Sequence, residues 1–129
     1  MSKRRFGVSI PEELAHDLDR LAEIIGCDRS KLVTEAVREY VHEHVHYTQK
    51  HRCLGVLICV RMTSSESRRD VVDKYHSVVK SYSHIHVGRL CIEIYVVEGD
   101  SNEIVKLHSE LSRKMILTRY VSLPTKPLG

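Results

Sequence analysis

The first 45 residues of this chain predict one strand and two helices, a unit too small to bury its own apolar side chains. Within residues 4–10 every second side chain is apolar, from Phe6 to Ile10, which is typical of a short amphipathic strand. A strand of this kind needs a hydrogen-bonded neighbour, and the same 45 residues offer none. The sequence therefore predicts dimerisation through this strand.

Two helices are expected after the strand. The first begins at Pro11, which suits a helix start, continues with two glutamates at the favoured end of the helix dipole, and ends near Gly26. The second begins at Ser30, a residue type that commonly caps a helix, and continues through apolar positions to about Val45.

The segment from His42 to Arg52 marks the expected boundary between two domains. Its histidines mostly stand two residues apart, which scatters them around a helix instead of gathering them on one face. We interpret them as a solvated helix end and a linker. The expected domains are residues 1–48 and residues 53–129.

Residues 53–129 alternate between strand and helix patterns in a different order. The order is strand, helix, strand, strand, helix, strand, which predicts a ferredoxin-like domain and places the whole chain in the α+β class. The expected elements are a strand over 54–60, a helix over 67–81, strands over 84–87 and 91–97, a helix over 101–113 and a strand over 116–123.

Three transition-metal donors, His84, His86 and Cys91, stand within eight residues of this second region. In an extended strand, side chains two positions apart point to the same face, so both imidazoles can converge on one ion. Cys91 adds a thiolate from the start of the next apolar run. Imidazole and thiolate favour Ni, Cu, Zn or Co over Mg or Ca, which prefer oxygen ligands.

Composition narrows the remaining possibilities. No apolar run reaches the length of a membrane span and the N-terminus lacks the apolar core of a signal peptide, so a cytoplasmic location is expected. The four cysteines are widely spaced, which argues against a structural zinc site, and Cys59 lies in an apolar run as a core residue. The net charge of +3 decides little, but the cluster Lys3, Arg4 and Arg5 suits nucleic acid.

The order strand, helix, helix resembles the ribbon-helix-helix family of DNA-binding modules, in which two chains pair their first strands into an antiparallel ribbon. The resemblance implies a double-stranded DNA operator, with Arg5, Gly7 and Ser9 on the base-facing side of the ribbon. It also implies that Ser30, at a helix start, lies against a phosphate. Gly7 departs from the pattern because it has no side chain to read a base.

The combination of this module with a ferredoxin-like domain carrying His84, His86 and Cys91 resembles the nickel-responsive transcriptional regulators, over essentially the whole chain. The resemblance implies an ACT-type metal-sensing domain, a homotetramer of two DNA-binding dimers around four sensing domains, and Ni²⁺ as the cofactor. It implies that two histidines and the cysteine come from one chain and a third histidine from a helix of a neighbouring chain. The family's glutamate two residues after the cysteine, here Glu93, supports the ligands without binding the ion.

Two features depart from the family pattern. The spacing from His86 to Cys91 is five residues where the family has six, which requires a tighter turn. Asp73 stands at the position of the neighbouring chain's histidine, and His76 follows almost one helical turn later, so either is a candidate fourth ligand. We favour His76, since imidazole suits Ni²⁺, whereas the carboxylate of Asp73 would favour Zn²⁺ or Co²⁺.

The sequence predicts a metal-responsive transcriptional regulator and leaves open whether it represses or activates. One alternative is a ribbon-helix-helix repressor that senses another metal, such as Zn, Co or Cu, or a small molecule. Another is a metalloenzyme, which needs an open coordination position and a nearby general base. Glu93 is the local candidate for that base, but it shares a face with Cys91 and is better placed to orient a ligand, so no enzymatic activity is expected.

Overall fold

In a computed structural model of the chain, the structure describes residues 2–63 and 69–124. The chain divides into two compact units, one ending at Glu39 and the other beginning at Tyr40. Within the described ranges, no helix is long and apolar enough to cross a membrane.

The N-terminal unit is built around two helices. Helix α1, Glu12–Ile25, follows Pro11 and closes at Gly26, which has a positive φ of 84° and donates its N–H to Ala22 at 2.9 Å. Helix α2, Arg29–Glu43, continues past the boundary between the two units. Both predicted helices are therefore present, and the first ends where the sequence predicts.

The start of α2 differs from the prediction. Ser30 is predicted as the cap, but the Asp28 carboxylate accepts the N–H of Lys31 at 2.7 Å and caps the helix instead. Asp28 precedes the first helical residue, Arg29, while Ser30 already lies in the first turn. The aspartate can therefore satisfy an N–H group that the helix itself leaves unpaired.

The strand predicted over residues 4–10 is not formed within a single chain. Phe6 and Val8 are 74% and 69% exposed, and Ile10 is exposed as well. A β-strand needs a hydrogen-bonded neighbour, and in a ribbon that neighbour is the same segment of a second chain. The predicted strand is therefore absent from the single chain.

The described part of the C-terminal unit is an antiparallel sheet with three helices. Its strands, in the spatial order β2-β3-β1-β4, are β1 (Arg52–Met62), β2 (Val79–Val87), β3 (Leu90–Asp100) and β4 (Leu117–Ser122). The helices are α3 (Val45–Thr48), α4 (Arg69–Lys74) and α5 (Ser101–Lys114). From β1 onward the chain order is β-α-β-β-α-β, as predicted for a ferredoxin-like domain.

Helix α4 is shorter than the helix predicted over 67–81, whose first two residues lie outside the described ranges. It ends at Lys74, and the carbonyl of Tyr75 then accepts the N–H of Val79 at 2.9 Å in a turn. Strand β2 begins there, with Val79 paired to Val97 of β3. Pairing along a whole strand outweighs the local helical spacing of the apolar residues.

The two faces of the sheet differ in their surroundings. On the face that α4 and α5 cover, Cys59 is fully buried, as predicted, within a core of Cys53, Leu57, Cys59, Val71, Tyr75, Val78, Tyr95, Val97, Ile104, Leu107, Leu111 and Tyr120. The alternating residues of each strand point to the opposite face, which we call the open face. Its exposed apolar side chains are Met62, Ile85, Val87, Leu90, Ile94, Leu117 and Val121.

The ring of Tyr120 lies across β1 at Gly55. A Cβ atom at Gly55 would overlap the Tyr120 ring, so any other residue there would displace it. That ring is buried and meets the imidazole of His46 edge-on, with 4.5 Å between centroids. The glycine therefore allows an aromatic side chain to pack directly on the strand.

Candidate metal centre

A tight turn joins β2 to β3. Val87 pairs with Leu90 across it, and Gly88 within it has a positive φ of 60°, a conformation that favours glycine. The turn accommodates the short spacing from His86 to Cys91, because the register places these two residues directly opposite each other.

The same register brings the predicted donors to one face of the sheet. His84 lies opposite Glu93, two residues along from the pair of His86 and Cys91, and paired residues share a face. The imidazole rings of His84 and His86 are 5.4 Å apart between centroids. Two nitrogen donors and one sulfur donor thus lie on one side of the hairpin, a set that suits a borderline-soft transition metal.

These donors differ in exposure. Cys91 is fully buried, whereas His84 and His86, on the edge strand, are exposed. Among the residues that the structure describes, no three His, Cys, Asp or Glu side chains are gathered to hold an ion within one chain. The hairpin supplies suitable donors, and closing a site around an ion requires side-chain movement, a donor from another chain, or both.

Within the described ranges, the buried carboxylate of Glu93 accepts hydrogen bonds from Arg61, Tyr82 and Tyr95. Arg61 Nε and Tyr82 OH each donate to Oε2 at 3.0 Å, and Tyr95 OH donates to Oε1 at 3.0 Å. Burial, followed by the charge of Glu93 and the hydrogen bond to it, raises the pKa of both tyrosines, so their hydroxyls stay protonated as donors. Arg61 was not predicted to take part in the site. The sequence feature that could have indicated it is a charged residue at an inward-facing position of an apolar strand.

The two candidate fourth ligands are exposed, Asp73 in α4 and His76 in the turn after it. The Nδ1–H of His76 donates to the backbone carbonyl of Asp73 at 2.9 Å. A protonated Nδ1 leaves the lone pair of Nε2 available to a metal. Within the described part of a single chain, neither residue forms a three-donor group with the hairpin residues.

The residues predicted to contact DNA belong to the N-terminal unit and are exposed to solvent. Ser30 is exposed in the first turn of α2. The others lie in the segment that precedes α1, and they are Lys3, Arg4, Arg5, Gly7 and Ser9.

The histidines of the expected linker are not all solvated, contrary to the prediction. His46 lies in α3 and is buried, with its Nε2 2.7 Å from Nδ1 of His108 on α5. The ring of His44 stacks on that of His108 at 5.3 Å. The prediction that these histidines are solvated was wrong because it considered only their spacing relative to one another. His108 carried a signal, since it stands four residues after Ile104 on the apolar stripe of α5.

Two further carboxylates form contacts between separate elements of the C-terminal unit. Glu43, the last residue of α2, accepts from Arg119 Nε at 2.6 Å and from the N–H of Tyr120 at 3.0 Å, both on β4. Glu110 on α5 accepts from Tyr75 OH at 2.9 Å. The end of α2 is thus fixed to β4, and the turn that follows α4 is fixed to α5.

Comparison with known proteins matches both parts of the chain. The family described as the ribbon-helix-helix domain matches residues 2–44, and the family described as the NikR C terminal nickel binding domain matches residues 60–118. A relative from Dictyoglomus turgidum, assigned the name nickel-responsive regulator, is 31% identical over 114 residues, which cover 84% of each chain. A relative of the same name from Saccharolobus islandicus is 30% identical over 115 residues, covering 88% of this chain and 86% of its own.

Among solved structures, an uncharacterized protein from Thermotoga maritima is similar over 59% of this chain and 100% of its own, at 16% identity and a TM-score of 0.47. That likeness carries no argument about function.

Proposed function

We propose how this chain, which belongs to the family of nickel-responsive regulators, controls transcription in response to a metal. It is a metal-responsive DNA-binding regulator, with a ribbon-helix-helix domain followed by a nickel-binding domain. The observation that carries the proposal is the register of the β2–β3 hairpin, in which His86 lies directly opposite Cys91.

His84, His86 and Cys91 hold the ion in this proposal. The donor chemistry fits, because two imidazoles and one thiol share a face of the hairpin. Exposure of the two histidines leaves them accessible to an ion and to a donor from another chain, while Cys91 is shielded from solvent. Bound Ni²⁺ would cross-link these three side chains.

His76 of a neighbouring chain is the fourth donor that we favour. Its Nδ1–H is already committed to the carbonyl of Asp73, so Nε2 is the nitrogen free to bind a metal. A hydrogen bond to a backbone carbonyl commonly orients a metal-binding histidine in this way. The alternative donor is the Asp73 carboxylate, which would harden the site and favour Zn²⁺ or Co²⁺.

Two chains pair their N-terminal segments into the ribbon that reads DNA. The alternation of apolar and polar residues supports this, because pairing would cover exposed Phe6 and Val8 on one face while Arg5 and Ser9 remain on the other. Arg5 and Ser9 contact bases, Lys3 and Arg4 neutralise phosphates, Gly7 brings the backbone close to the groove, and Ser30 contacts a phosphate near the start of α2.

The open face of the sheet supports a tetramer. At its centre Ile58 pairs with Ile94 and Val60 pairs with Ile92, so these four side chains form an apolar patch that is partly exposed in one chain. A sheet face of this kind is normally covered by another layer. We assign the open face to contact between C-terminal domains, which joins two ribbon dimers into a homotetramer.

Metal binding changes DNA affinity in this proposal and does not catalyse a reaction. An ion held between chains favours one arrangement of the C-terminal domains, and with it the spacing of two DNA-binding dimers that fits a two-half-site operator. The protein acts in the cytoplasm, where it has access to both the metal and the DNA.

The test combines metal binding with selection of DNA. The metal-free protein is loaded with Ni²⁺, Co²⁺ or Zn²⁺ and presented with a pool of random double-stranded DNA. We expect one Ni²⁺ per chain and enrichment of paired half-sites that bind about tenfold more tightly with Ni²⁺ than without it. Equal enrichment with and without every metal would contradict metal sensing. A stronger response to Co²⁺ or Zn²⁺ would point to Asp73 as the fourth ligand.

A further inference from the structure

The Glu93 carboxylate is an oxygen donor placed beside the proposed metal ligands. Glu93 lies opposite His84 and two residues after Cys91, so all three share a face of the hairpin. A free carboxylate in that position would be available to a divalent ion, and an oxygen ligand would favour harder metals over Ni²⁺. Something must therefore decide whether the carboxylate enters the coordination sphere.

Among the residues that the structure describes, Arg61 is a cation that engages this carboxylate. It lies on β1 directly opposite Cys91, and its side chain is only 10% exposed. Its Nε donates to Glu93 Oε2 at 3.0 Å, and Nη1 donates to the carbonyl of Met62 at 3.3 Å. Because a buried hydrogen-bonded ion pair is costly to break from one side, the guanidinium keeps the carboxylate turned toward β1.

Two phenols also donate hydrogen bonds to Glu93. Tyr82 OH shares Oε2 with Arg61, and Tyr95 OH occupies Oε1, each at 3.0 Å. Both oxygens of the Glu93 carboxylate therefore already accept hydrogen bonds from neighbouring side chains. The Tyr82 ring also lies 5.8 Å from that of His84, so this network adjoins a proposed ligand.

We infer that Arg61 is a positioning residue that withholds the Glu93 carboxylate from the metal and thereby sets the preference of the site for nickel. This inference rests on the proposed function, since it requires an ion at His84, His86 and Cys91. It predicts that, without the guanidinium, the two phenols no longer suffice to keep the carboxylate turned toward β1, so an oxygen can reach the ion and selectivity shifts toward Co²⁺ and Zn²⁺.

The test compares metal preference in the full-length Arg61→Met protein and the wild type. We expect the ratio of the Co²⁺ and Ni²⁺ dissociation constants to move toward Co²⁺ on the order of tenfold. The visible ligand-field spectrum of the Co²⁺ protein should change as well, because an added oxygen ligand alters the coordination number. Arg52→Met is the matched control, since Arg52 pairs with Glu98 on the same two strands at the surface.

Two variants of Glu93 make the inference falsifiable even where Arg61→Met fails to fold. Arg61→Met combined with Glu93→Gln removes both charges of this ion pair, and it should return the metal ratio to the wild-type value. Glu93→Gln alone removes the support that Glu93 gives the ligands and should lower the affinity for both ions. It should leave the ratio of the Co²⁺ and Ni²⁺ dissociation constants at the wild-type value, because the carboxylate is not a ligand. A ratio that moves toward Ni²⁺ in Glu93→Gln, or an unchanged ratio in folded Arg61→Met, would overturn the inference.

These outcomes are separable from failure of the proposed function. If Cys91→Ala leaves Ni²⁺ and Co²⁺ binding unchanged, the metal site itself is wrong. If Cys91→Ala abolishes binding and Arg61→Met behaves as the wild type, the metal site stands and only the role of Arg61 is rejected.

Discussion

His46 and His108 share a hydrogen bond of 2.7 Å between Nε2 and Nδ1, although they are 62 positions apart in the sequence. Both side chains are buried, and the bond joins α3 to α5. One ring must donate and the other accept, so at least the accepting imidazole is neutral. Burial, followed by the charges of nearby histidines, lowers the pKa of each to about 4.

The stability of the C-terminal unit should therefore fall as the pH is lowered from about 6.5 toward about 4. Because both pKa values are lower in the folded state, the unfolded chain takes up the protons first, and protonation favours unfolding across this interval. Each shift corresponds to roughly 3 kcal/mol when complete. Of the neighbouring groups, His44 and His51 oppose protonation of His46, and the Glu43 carboxylate favours it.

Urea unfolding at pH 7 and pH 5 checks this prediction. Replacing both histidines, as His46→Phe with His108→Phe, removes the titrating groups and should reduce the difference between the two pH values. His42→Gln is the control, because His42 is exposed at the end of α2. The same pH dependence in the double variant and the wild type would contradict the assignment.

Cys91→Ala should abolish tight nickel binding and remove the thiolate-to-nickel charge-transfer absorption. The physical reason is that the thiolate is the softest donor of the proposed set. Cys27→Ala and Cys59→Ala are the controls, since Cys27 lies in the N-terminal unit and Cys59 in the core. Titration with Ni²⁺ followed by absorption measures the effect, and retained high-affinity binding in Cys91→Ala would reject the site.

His76→Ala should weaken nickel binding by about 10- to 100-fold, and Asp73→Ala should weaken it far less. The imidazole completes a nitrogen and sulfur donor set, whereas the Asp73 carboxylate does not. Loss of the His76 imidazole should also uncouple metal binding from DNA affinity, because this donor comes from a neighbouring chain in the proposal. Parallel measurements of Ni²⁺ affinity and operator affinity decide between the two residues; the reverse order would identify Asp73 as the ligand.

Arg5→Ala should weaken specific DNA binding by about 1–3 kcal/mol while leaving the oligomeric state unchanged. Arg5 is exposed before α1 and lies on the polar side of the proposed ribbon. Arg113→Ala, an exposed substitution on α5, is the control. Fluorescence anisotropy with the selected operator measures affinity, and an unchanged value in Arg5→Ala would remove the ribbon from the proposal.

Ile94→Lys should convert the tetramer to a dimer. Ile94 lies at the centre of the open face, where it pairs with Ile58, and a lysine there would bury a charge in the contact between C-terminal domains. Sedimentation velocity measures the change in mass. Lys106→Ala, on the exposed surface of α5, is the control, and a tetramer that persists in Ile94→Lys would place the contact elsewhere.

The parts of the fold that depend on local pattern were predictable. Strand β1 is a run of residues that are all apolar over 54–60, apart from one glycine, and α5 carries apolar residues at helical spacing, so the order of elements followed directly. The end of α4 could not be predicted from the sequence, because Val78 and Val79 continue the helical spacing and also suit a strand. Pairing with β3, which lies further along the chain, decides between them.

In the candidate site, too, arrangements set by local pattern were predictable and contacts between distant residues were not. The placement of His84, His86 and Cys91 on one face was predictable, because their spacing and a single turn determine their arrangement. The contacts of Arg61 with Glu93 and of His46 with His108 join residues 32 and 62 positions apart. Such contacts depend on sheet register and helix packing, which periodicity within one element does not specify.

Gly55 has a consequence for how mutations in this protein would be tolerated. The ring of Tyr120 occupies the space that a Cβ at position 55 would need, and that ring is itself packed against His46. A library randomised at position 55 and screened for folded protein should therefore return glycine almost alone. A ranking of positions by the side-chain contacts they make would score Gly55 at zero and miss one of the least replaceable residues of β1.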